Sequence, residues 1–132
     1  MTRTCNPRGP ARPAAVNGAL LPSGRTVLGT LLHEWPAQLP GAIRNLLTHA
    51  PESFDDPRLG EVAVAIRKVN MAGHGVNVVT VGRELGGELE AGDFVRALLP
   101  DAVPLSTAAE DAETLWGTYQ NRLRLRTLQH AA

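Results

Sequence analysis

Proline and glycine punctuate this chain from residue 20 onward, and between the breaks its apolar residues recur at helical spacing. Proline lacks a backbone donor and clashes with the preceding turn, so each one marks a helix end or a first turn. Val27, Leu28, Leu31 and Leu32 form an i, i+1, i+4, i+5 stripe behind Ser23 as a cap, and Pro36 stops it. A second helix opens near Pro40, carries Leu39, Ile43, Leu46 and Leu47 on one side, and closes before Pro51. The third starts most clearly, with Asp56 as N-cap and Pro57 at the first helical position, where a missing N–H costs nothing. Leu59, Val62, Ile66 and Val69 then repeat as a half-buried stripe until Gly73 and Gly75.

Val78, Val79 and Val81 have strand propensity, but no partner strand is visible in the sequence. Asn77 before them and Arg83-Glu84-Leu85-Gly86 after them predict a short capped helix instead. A fifth helix is predicted from about Asp93 to Leu99, burying Phe94, Ala97 and Leu98 before Pro100. Thr107 and Glu110 have the spacing of a capping box, which opens the longest helix. Ala108, Ala112, Leu115, Tyr119 and Leu123 lie along one face of it, with Trp116 and Leu128 beside them. The fold class expected is all-α: a compact bundle of about six helices ending in a long one. The organisation expected is an Arg/Pro/Ala-rich disordered tail over 1–19, a globular helical domain over 20–105 and the long helix over 106–130.

Composition agrees with helices. Alanine and leucine supply 18 residues each, while aromatics make up only 4% of the chain. Thirteen Lys+Arg balance thirteen Asp+Glu, which excludes generic polyanion binding and leaves contact with nucleic acid weak or indirect. Lys68 is the only lysine and follows Ile66 and Arg67, so no Walker A loop exists. No apolar run reaches the roughly 20 residues of a membrane span, and no charged-then-apolar leader opens the chain. Cys5 stands alone, which favours a reducing, cytoplasmic setting.

Catalytic patterns are lacking. His33, His49, His74 and His130 lie far apart, and His33 and Glu34 diverge by about 100° on a helix, so no metal face forms. No G-x-S-x-G surrounds Ser23, Ser53 or Ser106, and the glycines do not form G-x-G-x-x-G. Asp55 and Asp56 are adjacent carboxylates, but capping already explains Asp56. Arg122, Arg124 and Arg126 suit the end of the last helix, where cations offset the macrodipole. A non-enzymatic chain without cofactor or metal is therefore expected.

Several motifs in order carry a resemblance. Leu21-Pro22 with Val27-Leu28-Gly29-Thr30-Leu31-Leu32 comes first, then Phe54-Asp55-Asp56-Pro57-Arg58 and Val64-Ala65-Ile66. Val76-Asn77-Val78-Val79-Thr80-Val81 leads to Glu84-Leu85, and Leu98-Leu99, Val103-Pro104 and Ser106-Thr107-Ala108-Ala109 precede the long helix. Over about residues 20 to 128 this pattern resembles the N-terminal domain of DnaB-type replicative helicases. The resemblance implies a non-catalytic domain that oligomerises into a collar and docks primase or a helicase loader. It also implies that the last helix is the first arm of a hairpin that pairs with a neighbouring subunit. Leu115, Trp116, Tyr119 and Leu123, with Arg122 and Arg126, are the interface residues expected, and Asp56, Asn77 and Thr107 the structural caps. The alternative is a small helical DNA-binding regulator in which the helix after Asn77 enters a groove.

Overall fold

The computed structural model describes residues 24–131 and is all-helical, with six α-helices and one 3₁₀ turn among them. The helices are α1 (Gly24–His33), α2 (Gly41–Thr48), α3 (Pro57–Met71), α4 (Val78–Glu84), α5 (Leu89–Arg96) and α6 (Leu105–Ala131). The 3₁₀ turn, Leu99–Asp101, joins α5 to α6. The tail over 1–19, Ser23 and the first residues of the opening motif lie outside the described residues.

The predicted stripes converge on one core. Val27, Leu28 and Leu31 from α1, Ile43 and Leu46 from α2, and Ile66 from α3 are fully enclosed. α6 crosses both α1 and α2, while α4 packs between α3 and α5. The bundle therefore has two halves that share α3, with α6 on one side and α4–α5 on the other.

Local chemistry explains the boundaries. The Asp56 carboxylate accepts from the Arg58 N–H at 2.9 Å and Pro57 occupies the first turn, as the sequence predicts. Asp56→Ala should cost about 1 kcal/mol, the usual worth of an N-cap. An unchanged denaturation midpoint would show that another group satisfies that turn. At the other end of α3, Gly73 takes φ +82, and the N–H groups of Gly73 and His74 reach the Asn70 and Val69 carbonyls. This is a Schellman ending, and its left-handed residue suits glycine.

The valine run is helical, because Asn77 caps it in a full capping box. Its side chain accepts from the Val79 and Thr80 N–H groups, and the Thr80 hydroxyl accepts from the Asn77 N–H at 3.0 Å. Threonine here fills the role usually taken by Glu or Gln. Gly86, at φ +113, closes α4 in a second Schellman ending, with the Gly87 N–H reaching the Gly82 carbonyl at 3.0 Å.

Two boundary expectations fail. α5 begins at Leu89 rather than Asp93, and its enclosed residue is Val95. Leu98, three residues on, shares that inward direction and is buried, but Ala97 lies about 200° from Val95 and is exposed. Phe94 is half-buried. Thr107 is not the cap of α6: the helix starts at Leu105, and the Ala108 N–H already donates to the Pro104 carbonyl at 3.0 Å. Pro104 supplies the first acceptor, so Thr107 falls inside the first turn.

Long-range polar contacts tie α3 to α2 and α1 to the α6 entry. The Arg67 guanidinium of α3 donates to the Leu47 and Thr48 carbonyls at 2.9 and 2.8 Å, covering the C-terminal end of α2. The Val103 N–H donates to the Thr30 hydroxyl at 2.9 Å, and Thr26 donates to the buried Asp111 carboxylate at 2.7 Å. Together they fix α1 against both ends of the α6 entry.

Candidate interaction surface

The residues expected at an interface divide along α6. Ala108 and Ala112 are enclosed, Leu115 and Trp116 are half-buried against the core, and Tyr119 is only 9% exposed. Trp116 and Tyr119 pack on each other with ring centroids 5.6 Å apart, and the His49 ring, just past α2, lies 4.9 Å from Trp116. These rings belong to the chain's own bundle. α2 lies across this stretch of α6, and His49 at its end packs against both rings.

Arg122 belongs to the fold as well. Its guanidinium pairs with Asp55 at 3.0 Å and lies 5.5 Å from the centre of the Tyr119 ring. The two adjacent aspartates thus differ, Asp56 capping α3 and Asp55 pairing with Arg122 of α6. The sequence separation of the Asp55–Arg122 pair is why no motif reveals it.

Beyond Arg122 the helix leaves the bundle. Residues 123–128 are all exposed, so Leu123 and Arg126 of the expected set remain open, joined by Arg124, Leu125 and Leu128. Gly117 is exposed too, and a Cβ placed on it would meet nothing within 4 Å. Gly117→Ala should therefore stabilise the isolated domain by about 1 kcal/mol, the helix-propensity gain. A loss of stability in a dilute thermal melt would reveal a close contact at that position.

A second open surface runs along α3 where it meets α4 and α5. A cavity of about 370 Å³ is floored by Pro51, Val64, Ala65 and Leu85 and edged by Glu61, Glu84 and Lys68. Next to it, a smaller one of about 210 Å³ shares Glu61 and Leu85 and adds Glu88, Glu90 and Phe94. Arg58 lies over the Phe94 ring, 3.9 Å from its centre, so its charge is directed at that face.

A third and larger hollow, about 600 Å³, lies between the end of α1 and the start of α6, lined by His33, Glu34, Trp35 and Val103. His33 and Glu34 are exposed there. No group of three or more potential metal ligands occurs among the described residues, nor any helix long and apolar enough to cross a membrane. Comparisons with protein-family models, with curated proteins and with solved structures return no match.

Proposed function

We propose that this domain is a non-catalytic interaction module of a DnaB-like replicative helicase, serving oligomerisation and the docking of primase or a loader. The observation that carries the reading is the order of its motifs along an all-helical chain. Phe54 to Arg58 opens α3, Val64-Ala65-Ile66 lies at its middle with Ala65 and Ile66 buried, Asn77 to Val81 opens α4, and Ser106 to Ala109 lies in the first turns of a 27-residue helix. These four motifs follow one another along the chain in the order that the resemblance gives them. The way α6 runs past the bundle suits a module that joins subunits.

Isothermal titration of this chain against the primase and the helicase loader of the same organism tests the reading. Saturable one-to-one binding to either is expected. Absence of binding to both, at protein concentrations up to the solubility limit, overturns it.

A further inference from the structure

Two uncovered surfaces of this chain are opposite in charge and alike in apolar content. The first is the free end of α6, where leucines and arginines alternate from Leu123 to Arg126. Leu125 is 55% and Leu128 61% exposed, and their spacing of three puts them on one side of the helix. Arg124 projects about 100° from Leu125 in one direction and Arg126 about 100° in the other. Neither arginine forms an ion pair among the described residues.

The second is the double groove of α3, α4 and α5. Val64, Ala65, Leu85 and Phe94 give it an apolar floor, and Leu89 beside it is 76% exposed. Glu61, Glu84, Glu88 and Glu90 stand around it, and none forms an ion pair among the described residues. With Arg58 turned onto the Phe94 ring, Lys68 is the one other cation lining the two cavities. The groove is therefore an apolar slot with a net acidic rim, suited to an apolar segment flanked by cations.

We propose that the free end of α6 of one copy docks in the α3–α4–α5 groove of a second copy. Leu125 and Leu128 cover the apolar floor, while Arg124 and Arg126 face the glutamate rim. The end of α6 cannot serve its own groove. It continues a helix whose earlier turns are fixed on α1 and α2, and a continuous helix does not fold back on itself. Because the two patches differ, each docked copy still offers one free patch of each kind. Assembly therefore runs head to tail, into a ring if the rotation closes. The inference rests on the oligomerisation part of the proposed reading and deepens it: two-fold pairing of α6 would keep that reading and overturn this one, and primase or loader binding tests the docking part separately.

Sedimentation velocity across a concentration series at low ionic strength tests it, with two double charge reversals. One variant carries Arg124→Glu and Arg126→Glu, the other Glu84→Arg and Glu88→Arg; all four positions are exposed, and circular dichroism melts verify that the fold persists. The parent chain is expected to associate, increasingly with concentration and less at high salt. Each variant alone should associate at least about tenfold more weakly, because like charges then face each other. An equimolar mixture of the two should regain assembly, since a reversed helix end then meets a reversed groove. A parent that stays monomeric, a variant that associates like the parent, or a mixture that stays monomeric each overturns the proposal. So does loss of assembly in the arginine variant alone, which identifies two-fold pairing of α6 with itself.

Discussion

Alanine at position 29 is expected to destabilise this domain, although alanine is the better helix former. Gly29 lies buried in the middle of α1, and a Cβ there would stand 2.3 Å from the Leu98 carbonyl oxygen and 3.3 Å from the Ala102 nitrogen. Both are backbone atoms, which cannot rotate away as a side chain can. The Leu98 carbonyl is also held as the acceptor of the Asp101 N–H at 3.0 Å, and the Leu98 side chain is fully enclosed. Relief therefore requires α1 to lift off the 3₁₀ turn and strain the Thr30–Val103 hydrogen bonds. Overpacking of this kind costs about 1–3 kcal/mol and occasionally more, against a propensity gain of about 1 kcal/mol. Larger side chains at position 29 should prevent folding. Urea titration of Gly29→Ala beside Gly117→Ala gives the sharpest reading, because the same chemical change should move the midpoint in opposite directions. Equal shifts of one sign would show that α1 does not rest on that turn.

Ile66→Ala should cost still more, about 2–5 kcal/mol, through lost burial and the cavity left behind. Ile66 is 0% exposed at the centre of α3, the helix shared by both halves of the bundle, so few neighbours are free to collapse into the space. Met71→Ala, five residues along the same helix but 78% exposed, is the matched control and should cost little. The two denaturation curves should differ in midpoint and keep the same slope. A midpoint for Ile66→Ala close to that of the control would mean that α3 does not bury this face.

What was legible in the sequence was whatever depends on near neighbours along the chain. The apolar stripes of α1, α2 and α3, the cap at Asp56 and the helical state of Val78 to Val81 each follow from residues within one or two turns. The valines show how far this reaches: strand propensity favours another answer, and Asn77 with Thr80 overrides it through two reciprocal backbone bonds. The start of α6 was misread for the same reason, since Thr107 and Glu110 have the capping spacing while Pro104 takes the acceptor role three residues earlier. Position across the fold was not legible. Trp116 and Tyr119 give the same helical stripe whether they face a partner or their own bundle, and their packing on His49 appears only in three dimensions. Asp55 with Arg122, and Thr26 with Asp111, are joined by the packing of helices that are distant in sequence. The acidic groove was missed because its glutamates come from three helices and form no local pattern.

The Arg67 bridge has a consequence for how the domain opens. α2 has only eight residues, too few to persist alone in water, and its last carbonyls depend on a guanidinium that α3 supplies. Its final turn therefore cannot fray independently while α3 is intact. In native-state hydrogen exchange, the amides of α2 and α3 should share one opening free energy and behave as a single foldon. Arg67→Met, which keeps the stem but removes the donors, should uncouple them and let α2 exchange first. An eight-residue core helix thus gains its protection from a neighbour, and one side chain sets the size of the cooperative unit.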